Sequence, residues 1–436
     1  VSESAPLRIG LAGLGTVGVG LLRLLAANAG LIARRAGRPI VVSAVSARAR
    51  GRDRGVPIAH LRWHDDPVAL AGDPQVDVVV ELIGGTEAPA RPLVLAALAA
   101  GKPVVTANKA LLAVHGAELA ERAAAAGVPL AYEAAVAGGI PVIKALREGL
   151  AGNRIDSISG ILNGTCNYIL TTMREQGTSF GEVLAEAQLL GYAESDPSAD
   201  IDGHDSAHKL AILAALAFGQ PVDFGAVHIE GIRAIDALDI AYASELGYRI
   251  KLLGIARRAG DAIEARVHPT MLPVEAPLAM VEGVYNAVLA VGDQVGRVLL
   301  EGRGAGAGPT ASAVAADLID IARGRVTPVW GHDGWAGEDD PAPMSTAPIS
   351  GHIGPYYLRL MVADRPGVIA DITAVLRDNG VSLEAMLQRG RSPAVAVPVV
   401  LVTHDTTETA MRAAVTHITA LDSVLEPPTI IRIEPA

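Results

Sequence analysis

Short apolar runs alternate with helix-period segments over the first third of the chain. Residues 7–12, 40–46, 76–83, 103–106 and 128–133 read as strands. The run 76–83 is nearly all apolar, as a strand buried on both faces must be. Residues 21–27 read as a helix stopped near Gly30, and Ala-rich helical segments precede the last two strands. Strand and helix in alternation predict an α/β fold built on a Rossmann-type, doubly wound parallel sheet.

The texture changes near Ile155. Residues 155–162 read as a strand, 167–175 as a helix, and 206–218 as an amphipathic helix closed by Gly219. Residues 248–258, 262–268, 281–290 and 295–301 predict a mixed or antiparallel sheet, hence a central α+β domain. A second Gly-rich loop, 302–308, precedes an apolar helix at 310–322. Residues 326–354, rich in Pro, Gly, Asp and Ser without apolar period, read as an exposed linker of low structure. The tail runs strand 356–363, helix 368–377, strand 381–388, strand 394–403, helix 407–420, strand 429–434. That βαββαβ order predicts a ferredoxin-like module.

Composition narrows the function class. The chain has 436 residues, a formal charge of −11 and one cysteine, Cys166. The length suggests two to four domains. The acidic balance argues against a nucleic-acid partner. No apolar run is long enough to span a bilayer, and the N-terminus lacks a signal-peptide pattern, so a cytoplasmic location is expected. One cysteine excludes an intrachain disulfide and a multi-Cys zinc site. Only five of the 36 basic residues are Lys: Lys102, Lys109, Lys144, Lys209 and Lys251. In a chain that otherwise uses Arg, a retained Lys suggests a need for a compact amine that can exchange a proton.

Gly13-Leu14-Gly15-Thr16-Val17-Gly18 follows a strand and opens a helix, as the dinucleotide fingerprint requires. Gly13 serves the tight turn, Gly15 the approach of the pyrophosphate, and Gly18 the packing of helix on strand. After the second strand the sequence reads Ser46-Ala-Arg48-Ala-Arg50-Gly, with no carboxylate before Asp53. An NAD site usually places Asp or Glu there. Arg48 and Arg50 suit a 2′-phosphate instead, so NADP(H) is expected over NAD(H). The segments ending at Thr86 and running from Thr106 to Lys109 should meet at the carboxyl ends of the strands. The block from Leu190 to Lys209 gathers Glu194, Asp196, Asp200 and Asp202 before a helix on which Asp205 and Lys209 share one face. Carboxylates and an amine so placed suit a substrate with its own ammonium and carboxylate. His204 and His208 have the spacing of a zinc-protease helix, a weaker reading that leaves the nucleotide fold without a role. No Gly-x-Ser-x-Gly elbow is present.

These motifs, with Asn163-Gly-Thr-Cys-Asn-Tyr-Ile-Leu170, resemble homoserine dehydrogenase over about residues 5–325, and the tail resembles an ACT domain headed by Asp364-Arg-Pro-Gly367-Val. The resemblance implies reversible NAD(P)H-dependent reduction of aspartate 4-semialdehyde to homoserine (EC 1.1.1.3), in the route to threonine, methionine and isoleucine. It implies Lys209 as proton donor and Lys109 as a second active-site lysine. Glu194, Asp205, Gly191 and Asp200 would bind substrate. Thr86, Thr106, Lys109 and Gly308 would join the fingerprint at the cofactor. Glu133, Val136, Gly138 and Ile140 match a structural site for Na+ or K+, read as three carbonyls and a carboxylate. The ACT module implies an amino-acid effector, threonine by end-product logic, with Asp364, Gly367 and Asn379 as candidate contacts. A homodimer or homotetramer is expected. The implied domains are 1–134 plus 303–325 for the cofactor, 135–302 for catalysis and dimerisation, 326–354 as linker and 355–436 as regulatory module. Two other readings compete: an amino-acid dehydrogenase acting on a C–N bond, and a non-catalytic NADP and amino-acid sensor.

Overall fold

A computed structural model describes residues 5–331, 344–389 and 395–434. Six parallel strands form the first sheet: β1 (Leu7–Ala12), β2 (Ile40–Ser46), β3 (Arg62–His64), β4 (Val78–Glu81), β5 (Val104–Thr106) and β6 (Leu130–Ala131). Their order, β3-β2-β1-β4-β5-β6, reverses direction of growth between β1 and β4, which opens the ligand crevice of a doubly wound sheet. The strand expected at 128–133 is only two residues long. The chain leaves it for a 3-10 turn at Glu133–Ala135 that feeds the cleft. Helix Ala307–Ala322 returns from far along the sequence to pack on Thr16–Ala27, the fingerprint helix.

The second sheet takes β7 (Ile155–Ile161), β8 (His228–Ile229), β9 (Tyr248–Ala259), β10 (Ala262–Pro273), β11 (Tyr285–Gly292), β12 (Gly296–Arg303) and β13 (Ser345–Thr346). A two-stranded pair joins β14 (Ile353–Gly354) to β18 (Thr406–Thr407). The tail supplies β15 (Tyr356–Val362), β16 (Leu383–Gln388), β17 (Val397–Thr403) and β19 (Thr429–Ile433), with helices Val368–Asp378 and Glu408–Thr419 over one apolar core. This is the expected βαββαβ module. The expected strand 394–403 begins at Val397, and its position 394 lies outside the described residues. The strand expected at 281–290 starts four residues later, because Gly283, at φ +60, turns the chain first.

The module is not a separate body. Its last strand, β19, pairs in parallel with β10 at Thr270–Arg432 and Met271–Ile433, so one continuous sheet runs β12-β11-β7-β9-β10-β19-β15-β17-β16. Buried charges seal the seam, each paired as burial demands. Arg432 donates to Glu230 (2.8 Å) and to both oxygens of Glu408 (2.6 and 2.9 Å). Arg266, fully buried, bridges Glu264 and Glu434. Arg359 and Tyr357 both bond Asp239, on helix Ala237–Glu245.

The expected linker departs most from its sequence reading. Residues 332–343, its middle, lie outside the described residues. Its flanks are bolted down. Trp330 is buried against Tyr132, ring centroids 5.4 Å apart, and the Tyr132 hydroxyl donates to the Val329 carbonyl. β13 adds to the edge of β10, and His352 is buried at the seam. Aromatic and apolar side chains isolated among Pro and Gly carry no period, yet each buries enough surface to fix the chain.

Burial alone would raise the Glu264 pKa, but His352, Arg266 and Arg257 outweigh it and bring it from 4.5 down to about 2. A depressed carboxyl contributes stability above its unfolded pKa and loses it as pH falls through the folded one. Glu264→Gln is expected to cost about 3 kcal/mol at pH 7. The gap to wild type should close between pH 4.5 and about 2, measured by thermal unfolding across that range.

Candidate active site

The fingerprint loop can be tested residue by residue. Gly13 has φ +103, and a Cβ there would sit 2.4 Å from the Leu82 carbonyl oxygen. A Cβ on Gly18 would sit 2.1 Å from the Gly13 carbonyl oxygen. A Cβ on Gly15 would meet nothing within 4 Å, so that face is open to a ligand. Leu14 is buried as an anchor, and Thr16 and Val17 open the helix whose N-terminal N–H groups suit a pyrophosphate. These residues fit a dinucleotide.

A cleft of about 500 Å³ continues from Gly13, Leu14 and Gly15 to Arg48, Arg52 and Arg54. Arg50 does not join them: its guanidinium lies over Trp63, 5.8 Å from the ring centroid. Arg54 touches the same ring and donates to the Arg48 carbonyl at 2.7 Å, bracing the loop. The arginine run 48–54 was the available signal. Which of its members face the cleft depends on where Trp63 sits, and that is set by the pairing of β3 with β2.

A second cleft, of about 570 Å³, lies between the two sheets and is lined by Lys109, Asp200, Asp205, Lys209, Gly191 and Glu194. Each was expected there. Lys209 donates to Asp205 Oδ2 (2.6 Å) and to the Leu162 carbonyl (2.7 Å). Lys109 reaches Asp205 Oδ1 at 3.2 Å from the other side. The two ammonium groups therefore do not face each other bare, because Asp205 stands between them. Lys109 opens helix Lys109–Ala126, held by the Asn108 cap, whose amide also donates to the Gly85 carbonyl. Asn163 caps helix Gly164–Gln176 with its oxygen and spends its NH2 on Asp200 (2.7 Å) and Asp205 (2.9 Å). Lys209 is 11% exposed and Lys109 38%, so Lys109 is nearer the mouth.

Electrostatics separate the carboxylates. Burial would raise the Asp205 pKa, but Lys209 and Lys109 hold it well below the usual range. Asp200 goes the other way, raised by burial and then by the charge of Asp205. Among the described residues, no three His, Cys, Asp or Glu gather to hold a metal ion, and His208 stacks on Phe224, which removes the zinc reading.

Other expected contacts are placed differently. Thr106 is fully buried, its hydroxyl donating to Glu81 and accepting from the Asn108 N–H, so it braces the site from behind. Thr86 sits half-buried in the turn after β4, next to the Gly85 carbonyl that Asn108 holds. Gly304, Ala305, Gly306 and Thr310 line the cleft, whereas Gly308 is exposed in the first helical turn. Gly138 lines the cleft, in a turn with Val136 and Ile140 where Ala137 and Gly138 both have positive φ. The Glu133 carboxylate accepts the Ile143 N–H on one oxygen and the Lys144 N–H on the other. Gly367 caps the start of helix Val368–Asp378 and Asn379 its end, about 18 Å apart by helical rise. Asp364 precedes that start, and the Asn379 amide donates to Val375 and meets His417. These three therefore do not form one site within a chain. Asn286 and Arg303, which also line the cleft, gave no motif in the sequence.

Comparison with known proteins decides among the dehydrogenase readings. The family described as homoserine dehydrogenase matches residues 141–319, its NAD-binding domain matches 13–133, and the ACT domain matches 356–421. Homoserine dehydrogenase of Neisseria gonorrhoeae is 49% identical over 432 residues, covering 98% of this chain and 99% of the relative. The chain belongs to the homoserine dehydrogenase family. The Pseudomonas aeruginosa enzyme is 47% identical over 439 residues, covering 98% of this chain and 99% of its own. A homoserine dehydrogenase structure from Thiobacillus denitrificans superposes with a TM-score of 0.92 at 49% identity, covering 99% of each chain. One from Staphylococcus aureus gives 0.75 at 30% identity, covering 98% of this chain and 99% of that one.

A homoserine dehydrogenase reduces aspartate 4-semialdehyde to homoserine, which sets aside the C–N dehydrogenase and the sensor. The raised pKa of Asp200 then has a measurable sign. If Asp200 holds the substrate ammonium, its protonation removes that attraction, so KM for the semialdehyde should rise as pH falls, with a midpoint above the ordinary aspartate value of about 3.9. Asp200→Asn should raise KM at neutral pH and abolish that limb. Initial-rate kinetics from pH 4 to 8 check it, provided the variant keeps its NADPH affinity.

Proposed function

We propose that this homoserine dehydrogenase prefers NADP(H), protonates the new alkoxide from Lys209, and is feedback-inhibited by threonine as a cytoplasmic dimer or tetramer. The observation that carries the chemistry is the Lys209–Asp205–Lys109 trio at the cleft that the fingerprint loop and the second Gly loop share. The reduced nicotinamide, when bound, supplies the hydride. Asp205 fixes the Lys209 ammonium so that an N–H can point at the developing oxyanion and give up its proton. Lys109, nearer the mouth, leaves the trio with net positive charge, which favours the anionic transition state. Glu194, Asp200 and the face of Asp205 turned to the cleft suit the substrate ammonium. Gly191 and the start of helix Gly164–Gln176 suit its carboxylate.

Arg48, with Arg52 and Arg54, supports the NADP reading, and a hyperthermophilic archaeal relative, 27% identical, has been solved as a mutant in complex with NADPH. For Na+ or K+, the donors are read as the Glu133 carboxylate with the main-chain carbonyls of Val136, Gly138 and Ile140. The strained positive φ of Ala137 marks a turn that such an ion would hold. The first sheet, with Ala307–Ala322 packed on the fingerprint helix, supports a cofactor domain of 1–134 plus 303–325, while the catalytic region 135–302 and the module 355–436 share the second sheet.

The test is oxidation of NADPH and of NADH with aspartate 4-semialdehyde, with and without threonine. The expected result is turnover with both, better with NADPH, and suppression by threonine. Turnover indifferent to threonine would remove the feedback reading. Arg48→Ala with Arg54→Ala should weaken NADPH by about tenfold or more and leave NADH nearly unchanged. Equal loss for both would contradict the NADP assignment.

A further inference from the structure

Asn286 is the buried side chain in the cleft whose bonding is incomplete. It is the second residue of β11, paired with Gly302 of β12, and is 1% exposed. Its Oδ1 has no hydrogen-bond partner, the one such buried side-chain oxygen among the described residues that line the cleft. Leaving a buried acceptor unmet costs about 1–3 kcal/mol. The surroundings are cleared for it. A Cβ on Gly304 would lie 2.1 Å from the Asn286 Nδ2, so only glycine lets the second Gly loop pass over this amide. A Cβ on Gly164 would lie 3.3 Å from Oδ1 itself. Both glycines line the same cleft. An unpaired buried acceptor between two glycines, on a residue that lines the cleft, suits an N–H donor from a ligand.

We infer that Asn286 orients the cofactor by accepting a hydrogen bond from the carboxamide N–H of the nicotinamide. The inference rests on the nicotinamide end reaching the cleft beside Lys209. The substrate ammonium is the other N–H donor available, but it already has Asp200, Asp205 and Glu194. The carboxamide has no carboxylate assigned to it. Asn286 sits under the loop whose helix packs on the fingerprint helix, which is the cofactor side. The carboxamide is also what makes the two faces of the ring inequivalent in the site. Fixing it chooses which face is turned to the substrate carbonyl, so Asn286 acts on geometry and takes no proton.

The test compares NADPH with its 3-acetylpyridine analogue, in which a methyl ketone replaces the carboxamide and no N–H remains. Binding is read by fluorescence titration of the reduced cofactors, without substrate. Wild type should bind the analogue about three- to tenfold more weakly. Asn286→Ala should bind both alike, at the analogue's level, and Asn286→Asp, which keeps an acceptor in the same shape, should restore the discrimination. Wild type that binds and oxidises NADPH but does not discriminate the analogue overturns the inference while leaving the enzyme assignment intact. So does Asn286→Ala that discriminates as wild type does and raises KM for the semialdehyde alone, because the donor is then the substrate ammonium. Failure of wild type to bind NADPH would overturn both the inference and the cleft reading beneath it.

Discussion

One buried carboxylate, Asp205, holds the active cleft together. It takes Lys209 from its own helix, one turn on, Lys109 from the helix that follows β5, and the amide of Asn163 from the start of a third helix. A single negative charge between two ammonium groups fixes both without neutralising both. The surplus positive charge of the trio faces the cleft, and it sits in a partly buried site where fixed charge acts more strongly than in water. The Lys109–Asp205 ion pair thus bridges the nucleotide-binding part and the second-sheet part of the chain.

The regulatory module is tied in by an equally specific set of buried charges. Arg432 of β19 meets Glu230, and the four residues from Glu230 lean on the turn that carries Asp200 to Asp202. Ile232 N–H donates to the Ile201 carbonyl at 2.8 Å, and Arg233 clamps Asp202. A Cβ on Gly231 would lie 2.2 Å from that same Ile201 carbonyl oxygen. The seam and the Asp200 cradle thus occupy opposite ends of one short, tightly packed stretch. A continuous sheet makes the module's last strand part of the catalytic domain's framework.

What was legible in the sequence was local. The glycine fingerprint, the acidic block with its i,i+4 Asp205 and Lys209, and the βαββαβ order all follow from spacing within a few turns. The use of lysine was also informative. Each of the five ends in a specific bond: Lys102 on the Asp73 carbonyl, Lys144 on Asp320, Lys251 on Asn167 and the Val281 carbonyl, and the two in the cleft. Burial lowers the Lys251 pKa to about 8, a setting that suits a compact amine better than a guanidinium. The rest was not legible because it depends on distant pairings. No spacing predicts that β19 joins β10, that Trp63 draws off Arg50, that Trp330 anchors a Pro- and Gly-rich segment, or that a lone Asn286 lies beneath Gly304.

The claim that Asp205 acts through Lys209 is most directly tested by a double-mutant cycle in kcat under single-turnover conditions. Asp205→Asn and Lys209→Met are each expected to slow the chemical step by roughly 10²- to 10⁴-fold. If Asp205 works by holding Lys209, the double variant will be about as slow as Lys209→Met alone. Losses that multiply would mean that the two residues act independently, and would contradict the account.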